Sequence, residues 1–235
     1  GRSTHIRFLL NKYEQAKENG ADSVQIFLAK YLNVEIGLNK RADRWAGADF
    51  WMTCAYKERL VIETIIDLSD VIVVGLDGGG LDDLFGMAVM GRDKDDRGRW
   101  YLWTKAWAHE IVLERRKEIA PALLDFKDDG DLTIVKNLGE AISQAGKIIK
   151  RLNNSGKLPE KHAIGMDKLG MPSMQDGLIA EGVDFEKMVA VPQGYMLSGY
   201  AQTLEWKLAE GELLHAGQRM MNWCVGNAKG VLKGN

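Results

Sequence analysis

Residues 70–84 read "DVIVVGLDGGGLDDL", and their reading decides the fold. The apolar run through Leu76 suits a central strand covered on both faces. The strand ends at Asp77. Three glycines follow, Gly78 to Gly80, and then Asp82 and Asp83. A loop of this composition at a strand exit has two possible chemistries. It could cradle phosphate, or its carboxylates could hold a metal ion.

Downstream, "FGMAVMG" (85–91) and "WYLWTKAWA" (100–108) read as strands joined by the charged hairpin "RDKDDRGR" (92–99). Three consecutive antiparallel strands are therefore expected. A helix over 110–126 places Val112, Ile119, Leu123 and Phe126 on one face, with Pro121 splitting it. "LTIV" (132–135) is a short strand. Residues 137–152 place Leu138, Ala141, Ile142, Ala145, Ile148, Ile149 and Leu152 at helical spacing. "HAIGMD" (162–167) is a buried strand ending in Asp167. A helix near 173–181, the strand "MVAV" (188–191) and a helix capped by Ser198 and closed by Gly211 come next. "MMNWCVGNAK" (220–229) is the last element. This order defines an α/β domain with a mixed sheet over residues 70–235. Residues 1–69 read as an appendage or linker: helical pieces over 4–32 broken at Gly20 and Asp22, an irregular connection over 33–51, and a helix over 53–68.

Of the 235 residues, 46% are hydrophobic and 27% charged, which suits one large domain, or a domain with an appendage. The net charge of -2 still permits a locally basic groove. Cys54 and Cys224 show no CxxC spacing and read as reduced thiols. No apolar stretch approaches the ~20 residues of a membrane span. The start, "GRSTHIRF", has no signal-peptide pattern and reads like mid-chain sequence, so a fragment of a longer protein is expected.

Asp77 and Asp167 each end an apolar strand, where open α/β sheets place their ligands. Two such carboxylates could share a metal ion, with Asp82 and Asp83 nearby. Equally, each could cap a turn by an Asx hydrogen bond. The opening "GLDGGG" resembles the phosphate loop of sugar kinases and actin-like ATPases. There, a Thr, Ser or Lys follows the glycines; here Leu81, Asp82 and Asp83 do. Like charges at ~4 Å cost about 1–4 kcal/mol in partly solvated surroundings, so this loop suits metal better than triphosphate. No GxxxxGK[ST] motif is present either. Paired carboxylates holding Mg²⁺ or Mn²⁺ suit phosphodiester hydrolysis, in which two ions ~3.5–4 Å apart activate water and steady the leaving oxygen.

Most of the chain resembles the nuclease domain of the large terminase subunit of tailed bacteriophages. The likeness runs through "KYLNV", "DRWAGADFW", "VGLDGGGLDDLFGMAVMGRD", "WYLWTKAWAH", "LERRKEIAP", "DGDLTIV", "AIGMD", "VPQGYMLSGYAQTLEWKLAEGELLHAG" and "NWCVGNAK". It implies a ribonuclease H-like fold, with a mixed sheet flanked by helices. It also implies a two-metal endonuclease that cuts concatemeric viral double-stranded DNA during genome packaging in the bacterial cytoplasm. The partners it implies are the portal and procapsid, the small terminase subunit and an N-terminal ATPase module. Residues 1–69 would be the end of that module and the linker into the nuclease. Asp77 and Asp167 match the family's metal ligands, and Asp82 or Asp83 would be an auxiliary ligand or water orienter. The family's third acidic ligand lies in a late helix. Nothing after Glu212 is acidic here, so truncation, poor occupancy of one metal site and weak cleavage are expected. An actin-like kinase or ATPase and a non-catalytic packaging-assembly module remain the alternatives.

Lys168, Gln193, Lys207, Arg219 and Lys229 are candidate DNA contacts, set against an ordinary solvated surface. Asn227 and Gly194 share the matched segments without an assigned role. His215 reads as structural, and His109 as a cap for the next helix. Trp100, Trp103 and Trp107 read as packing, although aromatic rings also stack on bases. "ERRKE" (114–118) reads as a solvated helix face.

Overall fold

The computed structural model describes residues 6–18, 24, 27, 44–167 and 171–229. The break expected at Gly20 and Asp22 lies outside the described residues, as does Lys168. The chain divides into two compact units. One spans residues 1–49 with 224–235, and the other spans 50–223.

In chain order, the helices are α1 (Ile6–Glu18), α2 (Ala48–Trp51), α3 (Ile62–Leu68), α4 (Val112–Arg115), α5 (Ala120–Asp128), α6 (Leu138–Asn154), α7 (Met171–Ala180), α8 (Ser198–Ala209) and α9 (Arg219–Asn227). The strands are β1 (Ser69–Asp77), β2 (Leu84–Asp93), β3 (Trp100–His109), β4 (Leu132–Val135), β5 (Ile164–Asp167), β6 (Met188–Val191) and β7 (Leu213–His215). In the first unit, the Trp45 N–H donates to the Ala228 carbonyl at 3.1 Å, and the backbones of Arg44 and Lys229 form an isolated antiparallel β-bridge.

The second unit is built on a seven-stranded sheet ordered β4-β3-β2-β1-β5-β6, with β7 also on β3. The strands β1, β2 and β3 run antiparallel, as their consecutive hairpin reading requires. β5 runs parallel to β1, β6 to β5, and both β4 and β7 to β3. Parallel neighbours need crossovers, and the helices supply them. The result is the ribonuclease H-like mixed sheet flanked by helices that the resemblance implied.

One face of the sheet is the core. Ile72, Val74 and Leu76 meet Phe85, Met87 and Val89, and Ile65 of α3 joins them. α6 adds Ala141, Ile142, Ala145, Ile149 and Leu152, and α7 adds Met174 and Leu178. α6 opens on an Asn N-cap, with a Glu three residues on that reaches back to the residue before the cap. Asn137 accepts from the Glu140 N–H at 3.0 Å, and Glu140 accepts from the Lys136 N–H at 3.1 Å.

Several local expectations need correction. β1 is central, but only one of its faces is well covered; Gly75 and Asp77 are exposed on the other. Leu138 is exposed on α6. The expected helix over 53–68 forms only from Ile62, after a 3₁₀ turn at Met52–Cys54. Its Ile62 and Ile65, with Leu60 just ahead of it, join the core of the larger unit. The helix over 110–126 breaks at Arg116, before Pro121, which sits in the first turn of α5, where its missing N–H costs nothing. Ser198 is already helical, because the 3₁₀ turn Gly194–Leu197 runs straight into α8. Gly211 does close that helix, at φ +69°. β7 was not foreseen; three residues are too few for a periodic signal.

Candidate metal-binding site

The carboxyl ends of β1 and β5 create the site. Leu76 pairs with Met166 in parallel register, and the next residues along are Asp77 and Asp167. Adjacent strands lie ~4.8 Å apart, and residues two apart share a face. The two aspartates therefore stand side by side, on the face that also carries the paired Gly75 and Gly165. Gly86 lies opposite Asp77 on β2. A Cβ added at Gly75 or Gly86 would meet nothing within 4 Å. The ground around Asp77 is thus largely bare backbone, open to an approaching strand.

The loop 78–83 closes back over this corner. A Cβ at Gly79 would lie 2.3 Å from the Leu84 carbonyl carbon and 2.5 Å from the Phe85 nitrogen, so only glycine fits. Gly78 lies close to Met174, and Gly80 is open. This geometry sends the two loop aspartates different ways. Asp82 turns to Arg116: its backbone oxygen accepts from Nε at 3.3 Å, and its carboxylate lies 4.0 Å from the guanidinium. Asp83 accepts the Leu84 N–H at 2.8 Å and faces Asp77 electrostatically. Desolvation raises the Asp77 carboxyl above the ordinary aspartate range, and the charges of Asp83 and Asp167 push the same way. A hydrogen bond from the Gly78 N–H opposes them.

The donors suit a hard divalent cation: carboxylate oxygens on short stems, whose mutual repulsion a cation would relieve. Among the described residues, no three His, Cys, Asp or Glu side chains stand together as a ready-made metal cluster. The fit is that of a carboxylate pair with Asp83 at its edge.

The candidate DNA contacts are spread out. Gln193 is exposed, two residues beyond Val191, which pairs with Asp167. Lys207 is at the other end of the sheet, bonded to the Gly98 carbonyl at 3.1 Å and to Glu212 at 2.7 Å. Arg219 pairs with Asp125 and Asp129 at the end of α5. Lys229 and Asn227 belong to the other unit.

His215 is buried and stacked on Trp51, with ring centroids 3.8 Å apart. Its Nδ1 accepts the Gly217 N–H, so its Nε2 donates to the Trp51 carbonyl at 2.7 Å. Burial pushes its pKa down, and the bond to Trp51 opposes that. His109 accepts the Ile111 N–H on Nδ1 at 3.1 Å, just ahead of α4. Trp107 is buried and bonded to Gln144 at 2.8 Å. Residues 114–118 are all exposed.

Sequence reasoning missed Gln218, which now stands out. β7 pairs with Trp100–Leu102 and β4 with Ala106–His109, leaving Thr104 between them. The Gln218 amide fills that gap, accepting from the Thr104 N–H at 2.8 Å and donating to its carbonyl at 2.8 Å. It also donates to the buried Asp131 at 3.0 Å. No sequence motif marks a side chain that substitutes for a strand.

The sheet order and strand directions are those of a ribonuclease H-like fold, and Asp77 and Asp167 lie at the exits of two neighbouring parallel strands. Among solved structures the chain is similar to the HK97 bacteriophage large terminase, with a TM-score of 0.62 and 18% identity over 97% of this chain and 44% of that one. The chain therefore spans less than half the length of that protein. At this identity, the likeness is one of fold. No family profile matches the chain, and no curated protein matches it. Among the described residues, no helix is long and apolar enough to cross a membrane.

Proposed function

We propose that this chain is the nuclease domain of a terminase-type DNA-packaging motor and cleaves double-stranded viral DNA with divalent metal. The observation that carries this reading is the convergence of Asp77 and Asp167 at adjacent strand ends over an open, glycine-floored face. Asp77 and Asp167 would hold Mg²⁺ or Mn²⁺, with Asp83 rather than Asp82 as the auxiliary oxygen donor. The bound ions would supply charge neutralisation at the scissile phosphate and acidity to the attacking water. Gly75 and Gly86 leave room for the phosphodiester backbone to reach the carboxylates. Gly79 keeps the loop packed, so that Asp83 stays beside Asp77. Gln193 and Lys168 are the candidates for holding the strand near the acids.

The kinase alternative loses ground on charge: Leu81, Asp82 and Asp83 stand where that phosphate loop carries a Thr, Ser or Lys, and the Asp83 carboxylate adds negative charge beside Asp77. The non-catalytic assembly reading stands second, because the described residues contain no complete metal cluster. The portal and procapsid, the small subunit and an ATPase module are the partners this reading implies, in the host cytoplasm.

Supercoiled-plasmid cleavage with Mn²⁺ tests it. The wild-type chain should nick plasmid slowly, as a site short of its third acidic ligand would, while Asp77→Asn and Asp167→Asn should not cut; fast linearisation would assign the missing ligand to Asp83. A folded wild-type chain that binds DNA but leaves it intact over the same metal range would favour the assembly role.

A further inference from the structure

Behind the glycine loop, on the sheet face opposite the acid pair, lies a cavity of about 180 Å³ that shares only Asp83 with the proposed metal site. We propose that it takes one unstacked nucleobase of the bound DNA strand. The inference rests on the nucleic-acid reading above and adds a ligand subsite to it.

Size is the first argument. An apolar cavity of ~150 Å³ holds a single benzene ring. This one therefore accommodates one flat heteroaromatic ring, with the sugar and phosphate left outside. Shape is the second. Phe85 and Trp107 form a buried aromatic corner, with ring centroids 5.3 Å apart and planes tilted by 35°. The Trp107 indole N–H is committed to Gln144, which fixes the ring. Val135 and Leu138 complete the apolar lining. Leu138 is 43% exposed although it lies on the apolar side of α6, as a residue at the cavity mouth would be.

Polarity is the third argument. Two polar side chains line the box, His109 and Asp83. His109 uses Nδ1 to accept the Ile111 N–H, so its ring hydrogen is on Nε2 and it is a donor. The Asp83 carboxylate can only accept. The edge of either pyrimidine offers both an acceptor and a donor, so the pair recognises a one-ring base without choosing between the two. Extruding a base costs a few kcal/mol, least where the strand is already unpaired.

Asp83 joins this cavity to the acid pair. It lines the cavity, and its charge acts on Asp77. A base seated here would hold its strand beside the site.

The test needs neither metal nor cleavage. The Trp107 indole N–H is followed by ¹H–¹⁵N NMR in the presence of EDTA. Deoxycytidine monophosphate should shift this resonance saturably, while deoxyribose phosphate should not. Leu138→Trp, which closes the mouth from an exposed position, should weaken the response at least tenfold. The proposal is overturned if both compounds act alike, if neither acts at millimolar concentration, or if the response survives in Leu138→Trp. A plasmid-cutting chain with no such shift would sink only this inference. A shifting but non-cutting chain would sink only the nuclease reading.

Discussion

Gly79→Ala should disturb both the stability of the domain and the electrostatics of its acid pair. The new methyl carbon would lie 2.3 Å from the Leu84 carbonyl carbon, and 2.5 Å from both the Leu84 oxygen and the Phe85 nitrogen. Carbon–carbon contact is comfortable at ~3.5–4.0 Å, so the overlap exceeds an ångström. All three atoms are backbone, so no side chain can rotate away. Overpacking of this kind costs ~1–3 kcal/mol. For a domain of this length, each kcal/mol moves Tm by ~2–4 °C, so a loss of about 2–12 °C is expected. The other outcome is a loop that lifts off β2 and carries Asp83 away from Asp77. The Asp77 carboxyl would then titrate closer to the ordinary aspartate value of 3.8, because one of the charges raising it has moved. Gly80→Ala is the control. Its Cβ meets nothing within 4 Å, and its φ is not among the positive ones. It should be neutral, or stabilise by ~0.4–1 kcal/mol through the unfolded chain. Thermal unfolding and carboxyl NMR titration of both variants give the comparison. Equal Tm values for the two variants, with an unchanged Asp77 titration, would refute the packed-loop reasoning.

Other expectations follow from the same geometry. Asp77 has a raised folded pKa, so its contribution is intact below the unfolded value near 3.8 and is lost as pH climbs through the folded value. Metal-free Asp77→Asn should therefore gain stability over wild type at pH 7 relative to pH 4 in urea unfolding; no such gain would count against the crowding of the three carboxylates. His215 has a lowered folded pKa, so stability should fall as pH drops below about 6.5, where the unfolded chain binds a proton first. His215→Phe should flatten that slope, and an unchanged pH profile would show that the ring is not held neutral. Gln218→Ala leaves the Thr104 N–H without its partner and should cost about 1–3 kcal/mol by denaturant unfolding. A cost near zero would mean that water replaces the amide.

The antiparallel trio and both acidic strand ends were legible because they leave local marks: apolar runs, a charged hairpin, and an aspartate at the end of each run. Register was not legible. That Asp77 and Asp167 stand level depends on Gly75 pairing with Gly165, a match between segments 90 residues apart. Sequence also left Asp82 and Asp83 equivalent. They differ only because Gly79 packs on β2 and Arg116 reaches Asp82 from another element. The full apolar run of β1 suggested cover on both faces, but hydropathy cannot say whether helices lie on a face. The break at Arg116 ahead of Pro121 and the helical start of Ser198 came from turns whose hydrogen bonds carry no strong composition signal. Gln218 was invisible for the same reason; its role exists only between two strands that stop short of each other.

The outer margin of β3 is completed by amino acids synthesised more than a hundred positions later; Gln218 and Thr104 are 114 apart. A nascent chain emerging from the ribosome would carry the hairpin trio with β4 on the Ala106–His109 part of that margin and the Trp100–Thr104 part bare until β7 and Gln218 arrive. Such distant closure slows folding and exposes pairing surface in the meantime. Chaperone dependence during synthesis should therefore drop sharply once translation passes Gln218.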